Sequence, residues 1–166
     1  MVRLEGKAET RFAGYAAIFD RPDSSGDIIR RGAFKRAMAA GPQAIPLLWQ
    51  HDGGRPIGVI EQIAEDDNGL RVIGRISDGT RTAREAGSLL GERAVDGLSF
   101  GYRVREAIAP PGGKTGGRQL TDLELVEVSL VTFPMQPLAR VHKVEAPHSN
   151  NPPRHGEVAV TDAVRD

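Results

Sequence analysis

The chain has 166 residues, with 22 Lys and Arg against 22 Asp and Glu, so its formal net charge is zero. That balance excludes a dedicated nucleic-acid or anionic-membrane binder, which carries a basic excess. Cysteine is absent, which removes disulfide scaffolds, cysteine zinc sites and thiol catalysis. The length suits one domain with a core of its own, because a chain of this size buries roughly 68–70% of its unfolded surface. No apolar run approaches the ~18 residues of a membrane span. The N-terminus lacks the apolar stretch of a secretory signal. Glycine and proline are abundant, at 20 and 11 residues. Such a loop-rich composition favours strands over a helical bundle.

In chain order, Phe12–Phe19 reads as a strand and the turn formers of residues 20–27 as a loop. Apolar spacing from Gly32 to Ala40 predicts a short helix, stopped by Gly41-Pro42. Ile45–Trp49 is a compact apolar segment followed at once by Gln50, His51 and Asp52, with Gly53-Gly54 read as a turn. Pro56–Ile63 and Leu70–Ile76 predict a hairpin about a turn ending in Asn68-Gly69. Thr80–Glu92 predicts a helix with Ala83, Ala86, Leu89 and Leu90 inward and Asp78 or Thr80 as its cap. Val95–Val104 reads as strand, Ala107–Arg118 as loop, and Leu120–Phe133 as the longest strand. A last short strand follows at Arg140–Val144. The resulting fold class is α+β, mainly antiparallel β structure arranged as a small β-barrel or a sandwich, with a few short surrounding helices. Residues 1–145 form the domain, and 146–166, polar and Pro-rich, read as a disordered tail.

Three positions are candidates to carry chemistry, each with a plainer reading beside it: His51 as a surface-loop histidine, Ser99 as filler at a strand kink, and Glu127 as exposed or arginine-paired on an edge strand. His51 is the one histidine inside the predicted domain, at a strand end; His142, His148 and His155 lie at its edge or in the tail. Gly97-Leu98-Ser99-Phe100-Gly101 has the G-x-S-x-G spacing of a nucleophile elbow, but a strand rather than a helix follows the serine. One reading makes the glycines a strand kink around Ser99. The other lets a substrate carbonyl approach the backbone, where N–H groups near Ser99 stabilise an oxyanion. Strict alternation puts Leu123, Leu125, Glu127 and Ser129 on one face and Val126, Val128 and Leu130 on the other. A carboxylate at Glu127, apolar on both sides, needs a cation or a donor nearby. By the same alternation Glu124 faces away from Glu127. In the chain order His51, Ser99, Glu127 these residues supply the groups of a serine-protease set, with Ser99 as nucleophile, His51 as base and Glu127 as the acid that orients it. His51-Asp52 lacks the further ligands a metal site needs, so neither metal nor cofactor is expected.

The run GYAAIFDRPDSSGDIIRRGAF, then IPLLWQHD with PIGV, then AVDGLSFGYRV, then LTDLELVEVSLVTFPMQPLA closely resembles the prohead maturation proteases of tailed bacteriophages. Four motifs occur in order across about residues 11–144. The resemblance implies an assemblin-like fold, distantly related to the herpesvirus assemblin proteases. It implies a serine endopeptidase with catalytic His51, Ser99 and Glu127. It further implies cleavage of major capsid protein and scaffold segments inside the immature capsid in the bacterial cytoplasm, with self-cleavage and a homodimer as further expectations. The chain departs from the family after FPMQP, where LARVHKV replaces an Asn- and Ala-rich stretch. Arg140 in that stretch is a candidate to support an oxyanion water and is not assigned the role. The competing reading is an inactive, scaffold-like component of the prohead.

Overall fold

The computed structural model describes residues 9–113 and 117–146. Its strands are β1 (Thr10–Ile18), β2 (Ile28–Ile29), β3 (Pro46–Trp49), β4 (Asp52–Glu65), β5 (Gly69–Ile76), β6 (Gly97–Ile108), β7 (Gln119–Val131) and β8 (Val141–Glu145). Two helices, α1 (Lys35–Ala40) and α2 (Arg81–Gly91), join them. Strands dominate this mixed α+β fold. The proposed tail, from residue 147 on, lies outside the described residues.

The helices form where the apolar spacing predicts. On α2, Ala83, Ala86 and Leu90 are buried, and Thr80 caps the start by accepting from the Ala83 N–H at 3.1 Å. α1 is shorter than predicted, with a turn over residues 31–34 ahead of it. β4 and β5 make the expected hairpin, with Asp66 Oδ1 accepting from the N–H groups of Asn68 and Gly69. Gly53 and Gly54 lie inside β4 rather than in a turn; the chain reverses one step earlier, at Gln50-His51. β6 runs on to Ile108, beyond the strand expected from sequence.

One sheet holds all eight strands, in the order β2-β7-β3-β4-β5-β1-β8, with β6 on the other edge of β7. β7 is therefore central: β2 and β3 run parallel to it on one side and β6 antiparallel on the other. The barrel expectation is corrected here. The ladder does not close. Only the first residues of β6 reach the segment before β8, through the isolated Gly97–Arg140 bridge and the Leu98 N–H bond to the Ala139 carbonyl at 2.8 Å. Beyond that point β6 is exposed from Arg103 to Ile108, where Arg103, Arg105 and Glu106 are interspersed with Val104, Ala107 and Ile108, and it pairs only with β7 among the described residues.

The core joins Phe12, Phe34, Leu47, Ile57, Leu70, Leu90, Leu98, Leu123, Val128 and Leu130, among others. Burying each such side chain stabilises the fold by about 1.5–3 kcal/mol. Leu123 shares this core with Val128 and Leu130, which strict alternation forbids. The reason is a bulge: Gly101 pairs with Glu127 and Tyr102 with Leu125, leaving Val126 as an extra, exposed residue. The bulge resets the phase of β7. Leu123 and Leu125 do not share a face with Glu127 and Ser129, and Glu124 falls on the same side of the strand as Glu127.

Candidate active site

His51 owes its position to the shortest connection a hairpin can have. Trp49 pairs with Asp52, so Gln50 and His51 are the two central turn residues, with φ of 53° and 59°. Two positive φ values give the twist of a type I′ turn, usually built from Asn and Gly. Both residues adopt this region less readily than glycine, histidine more readily than glutamine, and a non-glycine residue held there adds roughly 1–3 kcal/mol of strain. Hydrogen bonds to β7 hold the turn. The Gln50 N–H donates to the Leu130 carbonyl at 3.0 Å, extending the β3–β7 ladder. The Gln50 side chain donates to Thr132 Oγ1 at 2.8 Å and accepts from the Thr132 N–H at 3.2 Å. The His51 N–H donates to Ser129 Oγ at 3.1 Å.

The imidazole turns toward β7. His51 Nδ1 lies 2.5 Å from Glu127 Oε1, a short contact of the charge-assisted kind. In the tautomer with its proton on Nδ1 the ring donates here, and Nε2 is left as the free acceptor. Glu127 is 7% exposed overall, and its second oxygen is not idle: Ser129 Oγ donates to Oε2 at 2.6 Å. A carboxylate buried in this way is satisfied on both oxygens, as burial demands. The His51 side chain is about half exposed, at 45%.

Ser99 sits on β6 in register with Ser129, and on the other flank of Ser129 lies Leu48 of β3. The three strands thus converge where His51, Glu127 and Ser99 are carried. Ser99 is buried, at 5% exposure, and lines with His51 a cleft of about 230 Å³. No hydrogen bond joins Ser99 to His51 among the described residues. The cleft walls are mostly apolar: Ala16, Ile29, Leu98, Phe100, Tyr102 and Met135, with Asp23 and Gln136. Gln136 spends its amide on the backbone of Ile18, bonding both its N–H and its carbonyl. Burial, then the nearby Asp23 and Asp27 carboxylates, push the Tyr102 phenol above its ordinary range.

The two glycines around Ser99 have packing reasons. A Cβ on Gly97 would stand 2.6 Å from the Val131 carbonyl oxygen, and one on Gly101 would stand 2.7 Å from Glu127 Oε1. Gly101 therefore makes room for the acid across the ladder, a role the G-x-S-x-G spacing did not suggest. Glu124 is outside this arrangement. Arg105 and then Arg103 bond its carboxylate and hold it below the usual range. Arg140 is spent on Asp96 and on the Pro137 carbonyl. The sequence reading missed Gln50 and Thr132 as parts of the site, and it gave Gly101 other roles than making room for Glu127. Ser129 had one legible signal, its place two residues after Glu127 on the same strand face.

A sequence profile described as caudovirus prohead serine protease matches residues 1–152. The prohead protease of Enterobacteria phage HK97 is 34% identical over 128 residues, covering 74% of this chain and 55% of that protein. A capsid polyprotein of Pseudomonas phage PAJU2 is 28% identical over 108 residues, covering 61% of this chain and 16% of that protein. The chain thus spans little more than half of the first relative and a small part of the second. Among solved structures, the capsid assembly protease of bacteriophage T4 superposes with a TM-score of 0.57 at 12% identity, over 73% of this chain and 80% of that one. The KSHV protease bound to a hexapeptide phosphonate superposes at 0.52 and 13% identity, over 82% and 65%. These two likenesses establish an assemblin-like fold, and the profile, spanning almost every residue described above, settles the kinship: the chain belongs to the caudovirus prohead serine protease family.

Proposed function

We propose that this chain is a serine endopeptidase that cuts capsid-protein and scaffold segments inside the immature capsid, in the cytoplasm of the host. Ser99 Oγ attacks the scissile carbonyl carbon while His51 Nε2 takes its proton. His51 then returns that proton to the leaving amine, and water repeats the sequence to release the acyl group from Ser99. Glu127 fixes the Nδ1–H tautomer and stabilises the imidazolium as it forms. Self-cleavage and a homodimer belong to the same reading.

The observation that carries it is the 2.5 Å contact between His51 Nδ1 and a buried Glu127, with Ser99 on the wall of the same cleft. A surface histidine without a catalytic task has no need of a desolvated carboxylate behind it. Membership of the prohead serine protease family supports capsid-protein segments as the substrate class. Among the described residues the edge of β6 beyond Leu98 that faces away from β7 pairs with no strand, and it offers an extended peptide a row of backbone partners next to the nucleophile.

The test is co-expression with the cognate major capsid protein, together with labelling by a serine-reactive fluorophosphonate. The expected result is cleavage of the capsid protein and a covalent adduct on Ser99, both lost in Ser99→Ala, where removal of the nucleophile lowers turnover on the order of 10⁶-fold. Cleavage undiminished in Ser99→Ala would sink the assignment, and an unlabelled, uncleaving wild type would favour the scaffold-like alternative.

A further inference from the structure

We propose that Ser129 is a positioning residue, a fourth polar member that locks the His51–Glu127 pair. The inference rests on the catalytic reading above and extends it. Ser129 is fully buried at 0% exposure, on the strand that carries Glu127. Its single hydroxyl does two things at once. It accepts the His51 N–H at 3.1 Å and donates to Glu127 Oε2 at 2.6 Å. A hydroxyl has one proton and two lone pairs, so it can serve both partners together.

The consequences are separate and physical. The bond to the His51 N–H anchors a residue whose φ of 59° is unfavourable for histidine, and so fixes where the ring starts. The bond to Oε2 fixes the rotation of the carboxylate, and so where Oε1 meets Nδ1. Backbone register gives Ser129 no freedom to drift, since Ser99 pairs with it on one side and Leu48 on the other. One atom therefore references base, acid and nucleophile strand to a common point. A serine retained only to fill space would be replaceable by alanine, which has nearly the same volume.

The test compares wild type, Ser129→Ala and Ser129→Thr as full chains. Two quantities are read: the second-order rate of fluorophosphonate labelling at Ser99, and the low-field proton NMR signal of His51 Nδ1–H, assigned by its loss in His51→Gln. Melting temperature controls for folding. The expected result is a roughly 10-fold to 100-fold slower labelling of Ser129→Ala, the kinetic equivalent of one hydrogen bond to a charged group. Its low-field signal shifts upfield or is lost to exchange, and Ser129→Thr, which keeps the hydroxyl, recovers much of both. Labelling and resonance in Ser129→Ala equal to wild type would overturn the proposal. So would losses that track only a lowered melting temperature and are not recovered by Ser129→Thr. If the wild type itself is not labelled, the protease reading fails, while the resonance still decides whether Ser129 holds the pair.

Discussion

At the scale of single residues the site is set by what has been left out as much as by what is present. Gly101 faces Glu127 across the β6–β7 ladder, and a methyl group there would stand 2.7 Å from the carboxylate oxygen that meets His51. Gly101→Ala is therefore expected to displace Oε1 and slow capsid-protein cleavage by about 10²-fold, the penalty of roughly 1 Å of misplacement. The fold should survive, since the carboxylate is the movable party; circular dichroism and cleavage rate on one preparation check this. Glu127→Gln keeps the shape but cannot stabilise an imidazolium, and turnover should fall about 10²–10⁴-fold. Glu124→Gln should be nearly silent, because that carboxylate is committed to Arg105 and Arg103 at the surface. The bulge at Val126 puts both glutamates on one side of the strand, so partners rather than facing distinguish them. Parallel cleavage assays of the two variants decide the matter; damage confined to Glu124→Gln would remove Glu127 from the site.

At the scale of elements, β7 is held at its start as well as at the site. Asp27, at the entrance to β2, bonds the Arg118 guanidinium through both oxygens and accepts the Arg118 N–H at 3.1 Å. Arg118 holds the Asp27 carboxyl below its ordinary value. A depressed folded-state pKa adds stability above the unfolded value of about 3.9, and that stability is lost as pH falls through the lower, folded value. The melting temperature should thus drop on acidification below about pH 4. Asp27→Asn should be less stable at neutral pH, by roughly 1.5 kcal/mol given how exposed Arg118 is, and the gap should narrow in acid. A pH series of thermal melts on both proteins measures it; a gap that widens toward low pH would contradict the pairing. Elements were legible in the sequence where one periodicity runs unbroken. The stripe of α2 and the Asn68-Gly69 hairpin are examples, because local spacing alone determines them. The turn at Gln50-His51 was not, since neither residue has the turn chemistry its φ demands and the energy that holds it comes from Thr132 and Ser129 far along the chain. The bulge at Val126 was illegible for the same reason: Leu123 to Leu130 reads as plain alternation until β6 is laid beside it. His51, Ser99 and Glu127 could be singled out as polar groups in apolar settings. That His51 meets Glu127 depends on the parallel pairing of β3 with β7, which no local pattern encodes.

At the scale of the whole molecule, the three candidate residues lie far apart in sequence and are brought together by β7 and its two neighbours. No part of the site is complete within one hairpin. Loss of the sheet and loss of the site should therefore be one event. In urea, fluorophosphonate labelling of Ser99 and the far-ultraviolet signal should fall with the same midpoint, as a two-state domain requires. Labelling that vanishes well before the sheet does would place the site in a less stable sub-unit of its own. The turn between β3 and β4 bears on a different matter, the lengths this chain can evolve through. With two residues between Trp49 and Asp52, an inserted or deleted residue there has nowhere to be absorbed and would swing the imidazole off its strand. At the far end of the β6–β7 hairpin, Ala109–Gly112 is largely exposed and includes a glycine at φ 79°. Natural length variants, and any epitope or fluorescent label spliced in by hand, should be accepted at 109–112 and rejected at 50–51.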